Sequence, residues 1–148
     1  MKPGLHRLAG LVMAGALCAP AFGLDYRATA APAILYDTPS AQGKRLFVVS
    51  AATPLEVVVT LEKWVKVRDR AGNLAWISRT DLSDRQTVTV TAERATIYQQ
   101  PSDSAPPSFE AVRGVILNVS GPVKGSWLPV RHPDGEAGYA RRIDIWGH

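Results

Sequence analysis

Lys63-Trp64-Val65-Lys66-Val67-Arg68 alternates β-branched residues with large or charged ones, the period of two of a half-buried strand. Ala71-Gly72-Asn73 follows as a turn, and Leu74-Ala75-Trp76-Ile77 as the return strand. The same order returns downstream. Trp64-Val65-Lys66-Val67-Arg68 becomes Trp127-Leu128-Pro129-Val130-Arg131, Ala71-Gly72 becomes Asp134-Gly135, and Trp76-Ile77 becomes Tyr139-Ala140. Arg79-Thr80-Asp81-Leu82 becomes Arg142-Ile143-Asp144-Ile145. Upstream, Ala33-Ile34-Leu35-Tyr36-Asp37-Thr38-Pro39-Ser40 pairs with Ala95-Thr96-Ile97-Tyr98-Gln99-Gln100-Pro101-Ser102. Landmarks in one order, offset by 62 and then 63 residues, indicate a duplicated unit.

Further strands are expected at Leu46–Val49, Leu55–Thr60, Phe109–Val112, Val115–Val119 and Ala137–Arg141. Thr87–Thr91 alternates and opens or precedes the second unit. Ser83-Asp84-Arg85-Gln86 reads as a polar linker, and Gly147-His148 as a frayed end. No segment carries a sustained helical period with caps. The expected fold is all-β, two small barrels or sandwiches in tandem. Strand alternation puts Val65 and Val67 in one core and Leu128 and Val130 in the other. Trp64 and Trp127 then lie on the outer or groove side.

Ahead of the repeat stand a short basic start (Lys2, His6, Arg7), an apolar run from Leu8 to Leu17, and Ala21-Phe22-Gly23. That is the order of a secretory signal peptide, and the run is shorter than the about 20 residues of a membrane span. Leu17 before Cys18 argues against a lipid anchor. The expected organisation is a signal peptide over 1–23, a first unit over 24–84 and a second over 85–148. It implies a periplasmic protein with no membrane span after cleavage. The remaining 125 residues (148 minus 23) contain no cysteine, because Cys18 is the only one. Stability must come from packing, and units of about 60 residues are marginal alone, so the two are expected to pack together. Removing Lys2 and Arg7 from 17 basic residues leaves 15 against 13 acidic, a net of +2. This does not suggest a nucleic-acid binder, which gathers basic residues on one face.

The residues Leu55-Glu56-Val57-Val58, Lys63 to Arg68, the Gly72 turn, Ala75-Trp76-Ile77 and Asp81-Leu82 together resemble the bacterial SH3-like domain. Val115 to Val119, Ser126 to Arg131, Asp134-Gly135, Gly138-Tyr139-Ala140 and Asp144-Ile145-Trp146-Gly147 form the second copy. The tandem after a signal peptide looks like a family of small secreted proteobacterial proteins. The resemblance implies a non-catalytic binding module for cell-wall peptide or glycan. The paired tryptophans of polyproline-binding relatives are absent, since Val65 follows Trp64, so that specificity is not carried over.

The candidate ligand-binding residues are Tyr36, Trp64 and Trp76, mirrored by Tyr98, Trp127 and Tyr139, which stack on sugars or prolines or else roof the barrels. Arg141 and Arg142 are candidate anion contacts. Trp146 is expected between the units or against a barrel end. The matching Asp81 and Asp144 suggest a structural role. No cofactor or metal is expected, since His132 lacks a second His or Cys in range, and no nucleophile elbow or phosphate loop is present. Three readings follow: an envelope-recognition module, a periplasmic protein–protein adaptor, and a small hydrolase. Outward aromatics in both units favour the first, a large exposed apolar patch the second, and a convergent Asp/Glu/His pocket the third.

Overall fold

The computed structural model describes residues 23–148, and the expected signal peptide, apart from Gly23, lies outside them. The chain forms two seven-stranded antiparallel sheets. The first comprises β1 (Tyr26–Thr29), β2 (Ala33–Tyr36), β3 (Arg45–Val49), β4 (Pro54–Thr60), β5 (Trp64–Arg68), β6 (Leu74–Ser78) and β7 (Leu82–Ser83). The second comprises β8 (Thr87–Val90), β9 (Arg94–Tyr98), β10 (Pro107–Val112), β11 (Ile116–Val119), β12 (Trp127–Arg131), β13 (Ala137–Arg141) and β14 (Ile145–Trp146). The orders β3-β2-β6-β5-β4-β1-β7 and β10-β9-β13-β12-β11-β8-β14 are identical once seven is added to each label. The all-β tandem read from the repeat is therefore present.

The two units share main-chain hydrogen bonds, not merely strands. Leu61 N–H donates to the Trp64 carbonyl as Lys124 does to Trp127, both at 2.8 Å. Gly72 to Asp69 recurs as Gly135 to His132, and Arg79 to Lys63 recurs as Arg142 to Ser126. The offset changes twice. Thr29 corresponds to Val90, 61 residues on, because Ala30 and Thr91 both donate to the carbonyl of the matching Asp, 81 or 144. It is 62 through β2 and β3, and 63 from Leu61 onward. These aspartates do serve structure, but through their main-chain oxygens at the end of a 3-10 turn, not through their carboxylates.

Each sheet carries its own core. Leu35, Leu55, Val65, Val67 and Ile77 fill the first, and Ile97, Leu117, Leu128, Val130 and Ala140 the matching places of the second. One buried position differs in size between the two cores. A Cβ on Gly138 would stand 2.5 Å from the Tyr98 carbonyl oxygen and 2.8 Å from Ile97 Cγ2. At the matching place the first unit holds buried Ala75 beside Leu35, whose Cβ is unbranched. The Tyr98 carbonyl and the branched methyl of Ile97 together close the space that alanine would need at 138.

Three features were not legible as segments. β1 is Tyr26-Arg27-Ala28-Thr29, which alternates apolar and polar residues over only four positions and is too short to stand out, yet it pairs with both β4 and β7. Ser83, expected in the linker, closes β7. The C-terminal end is not frayed: Gly147 is buried at φ 116°, and a Cβ there would sit 2.8 Å from Pro54 Cβ. Trp146 meets Tyr26 edge-on, ring centroids 5.2 Å apart, and Thr87 Oγ1 donates to the Ala52 carbonyl at 2.8 Å. Small units gain burial by this seam between them.

Candidate functional site

Alternation along β5 turns Val65 and Val67 inward and leaves Trp64 and Lys66 on the opposite face. Pairing then assembles the face. Ser78 lies opposite Trp64, Trp76 opposite Lys66, and Tyr36 opposite Trp76. Tyr36 meets Trp64 edge-on at 5.6 Å and 89°, and Lys66 Nζ stands 5.8 Å from the Trp76 ring. The second unit repeats the pair: Tyr98 meets Trp127 at 5.4 Å and 83°, with Tyr139 opposite Tyr98. Lys124 Nζ lies 5.2 Å from the Tyr139 ring and 3.3 Å from its hydroxyl. All six aromatics are half-buried, so each packs on the sheet and keeps an exposed edge. Edge-to-face packing of this kind fixes ring orientation.

Beside each Tyr–Trp pair opens a cavity at matching positions. In the first unit it is lined by Glu62, Lys63, Ser78, Arg79 and Thr80, with a volume of ≈ 490 Å³. In the second it is lined by Asp103, Ser126, Trp127, Arg141, Arg142 and Ile143, with ≈ 430 Å³. The side chains diverge where the backbone does not. Arg141 replaces Ser78, and its guanidinium lies 5.4 Å from the Tyr98 ring and 5.8 Å from Trp127. Arg141 Nε and Nη2 both approach Asp103 Oδ1, at 2.8 and 2.7 Å, and Nη2 also donates to the Tyr98 hydroxyl at 3.2 Å. The hydrogen bond to Asp103 is the main cause holding the Arg141 pKa above its ordinary value. Arg141, a candidate anion contact, is therefore engaged by an acid of its own unit. Arg142 is exposed, and its guanidinium makes no hydrogen bond among the described residues.

Nothing local marks Asp103 as functional, because Pro101 to Pro107 reads only as a stiff loop. The signal lay in the repeat: Ala41 stands where Asp103 does, so one copy has an acid that the other lacks. The two loops match in backbone. Ser40 N–H bonds the Thr38 carbonyl and Ser102 the Gln100 carbonyl, each at 2.8 Å, while Asp37 to Lys44 and Gln99 to Pro106 close both loops at 3.0 Å.

Two other cavities gather several charged groups. One near β1 is lined by Asp25, Arg27 and Asp84, which are already ion-paired around Arg27. The other, lined by Glu110, His132, Asp134 and Glu136, answers to the Asp/Glu/His pocket expected of a hydrolase. His132 Nδ1 lies 2.8 Å from Asp134 Oδ1, and Glu136 N–H also donates to Asp134, so these groups close the hairpin turn. The His132 contact is the main cause lowering the Asp134 pKa. Arg94 holds Glu110 at 2.7 Å, and no Ser, Thr or Cys lines this cavity. Among the described residues no three His, Cys, Asp or Glu side chains gather as a metal site, and no helix is long and apolar enough to cross a membrane.

The family model for the bacterial SH3 domain matches the chain twice, over residues 29–84 and 91–147. The chain belongs to the bacterial SH3 domain family. No curated protein matches it. Among solved structures it is similar to NlpC2 from Trichomonas vaginalis at 14% identity, covering 82% of this chain and 46% of that one, with a TM-score of 0.39. NlpC1 from the same organism matches at 13%, covering 92% and 51%, with a TM-score of 0.38. An NlpC/P60 family protein from Bacillus cereus ATCC 10987 matches at 16%, covering 82% and 56%, with a TM-score of 0.38. The chain spans about half the length of these structures, and its family assignment rests on the two domain matches.

Proposed function

We propose that this tandem bacterial SH3 protein is a non-catalytic periplasmic module that recognises peptidoglycan. The observation carrying this reading is the duplicated, half-buried Tyr–Trp pair, each copy beside an open cavity. Exposed aromatic edges suit stacking on sugar rings or peptide planes, and such residues dominate binding energies. Pull-down on purified sacculi tests the reading. Trp64→Ala and Trp127→Ala should each weaken sacculus binding by about 1–3 kcal/mol while circular dichroism stays native. Wild-type protein that ignores sacculi at every salt concentration would refute it. Export is tested separately, by N-terminal sequencing of periplasmic protein: a chain starting at Leu24 is expected, and one retaining Met1 would remove the periplasmic assignment.

A periplasmic adaptor is the second reading, favoured by one specific feature. β3 is an edge strand whose Leu46, Phe47 and Val48 are all exposed, Val48 at 78%. Exposed apolar edge strands are templates for pairing with another chain.

A further inference from the structure

The cavity of the second unit contains an acid–base pair that the first unit lacks entirely. Arg141 and Asp103 occupy the positions of Ser78 and Ala41, although the strands and loops carrying them share their main-chain hydrogen bonds. A charge pair present in one copy only is not needed to form the fold, since the first unit folds without it.

The geometry of the pair is incomplete. A guanidinium and a carboxylate bind best as two parallel hydrogen bonds, one to each oxygen. Here Nε and Nη2 both converge on Oδ1, and Oδ2 accepts no hydrogen bond among the described residues. The Asp103 side chain is 73% exposed and that of Arg141 41%, so the pair is weakly held. Arg141 itself is well placed. It lies over two aromatic rings and bonds the Tyr98 hydroxyl, which orients its donors toward the cavity. Arg142 adds a second cation to the lining, and Asp103 is the only acid there, with Asp144 acting on Arg141 from outside it. Ile143, 86% exposed, and Trp127 supply apolar walls.

We infer that the second unit binds the C-terminal carboxylate of a short peptide on Arg141, and that Asp103 is an internal carboxylate which the ligand displaces. The incoming carboxylate takes the two-oxygen geometry that Asp103 does not reach. Arg142 offsets the charge of the displaced acid, and a small apolar side chain of the terminal residue lies against Ile143 and Trp127. Loop 99–106 thereby latches the empty site. The inference rests on the envelope-binding reading and names the chemical class that one of its two cavities takes.

The test is calorimetric titration of the chain lacking residues 1–23 with N-acetyl-D-alanyl-D-alanine as free acid and as C-terminal amide. The free acid should bind at least about ten-fold tighter than the amide, the scale of a lost charge-assisted hydrogen bond. Asp103→Ala and Asp103→Asn should tighten the acid by about two- to five-fold, the scale of removing a weak exposed ion pair as competitor. Arg141→Lys keeps the charge and loses the fork, so it should bind nearly as poorly as Arg141→Gln. Equal binding of acid and amide, unchanged or weaker binding by both Asp103 variants, or full binding by Arg141→Lys would each overturn the inference. Native circular dichroism of every variant is the control, and both Asp103 variants remove an exposed group. Sacculi left unbound by a chain that takes the free acid would refute the envelope reading and leave the carboxylate site standing. Sacculus binding that both Asp103 variants and Arg141→Gln leave unchanged, with no peptide binding, would do the reverse.

Discussion

The two units share a main-chain plan and differ in what faces the groove. In the first, the Tyr36–Trp64 pair looks onto Ser78 and Lys63, and the cavity is open. In the second, the Tyr98–Trp127 pair lies under Arg141, which is tied to Asp103. Their edges differ too. β3 exposes Leu46, Phe47 and Val48, whereas the matching places of β10 hold Ser108, Phe109 and Glu110, and Phe109 packs on the core and meets the His132 ring at 6.0 Å. Conformation depends on turns, caps and inward residues, and these recur. Recognition depends on outward residues, which are free to diverge once folding no longer constrains them.

The comparison breaks first at the core if equivalence is false. Leu55→Ala and Leu117→Ala remove fully buried side chains at matching places and should cost about 3–4 kcal/mol each. Chemical denaturation reads this, and costs differing several-fold would mean that the cores are not equivalent. The next effect is one-sided. Gly138→Ala drives a Cβ against the Tyr98 carbonyl and should cost about 2–3 kcal/mol, although alanine is native at the matching position 75. If it is tolerated without loss, the close approach of the Tyr98 carbonyl and Ile97 to position 138 is wrong.

A smaller effect concerns a turn before the fourth strand of each unit. Ala52 has φ 61° and its counterpart Gly114 has φ 90°. Gly114→Ala should destabilise by about 1 kcal/mol, the cost of a side chain in left-handed backbone. Ala52→Gly should change stability by less, because relief of strain is offset by the greater freedom of glycine in the unfolded chain. Thermal melts of the two single variants check the sign and order.

The smallest effect is a pH response at the seam. Burial, then the charge of Arg142, lowers the His148 pKa below its ordinary 6.5. The folded form therefore favours neutral imidazole. This contribution is complete above the unfolded pKa and is lost as pH falls through the window beneath 6.5 to the folded value. Titration of the His148 ring by NMR should show a midpoint in the folded protein below that of the same ring in the unfolded chain. A midpoint at or above 6.5 would remove the effect.

Much of this was legible in the residues. Period-two alternation around Val65, Val67, Leu128 and Val130 assigned both cores, because a strand places successive side chains on opposite faces. The repeated Gly72 and Gly135 turns located both hairpins, and the repeat exposed the duplication. Tyr36, Trp64, Tyr98 and Trp127 were readable as outward aromatics for the same reason. The sequence by itself thus determined strand identity, facing and duplication, all of which follow from local periodicity and turn chemistry. Only the tertiary structure decided the rest. It brought Asp103 onto Arg141, 38 residues away, and Tyr26 onto Trp146 across the seam. It buried Gly147 against Pro54 and gave Asp81 and Asp144 their work through carbonyl oxygens. Such contacts depend on how non-neighbouring strands are stacked and closed, and no local pattern encodes that distance.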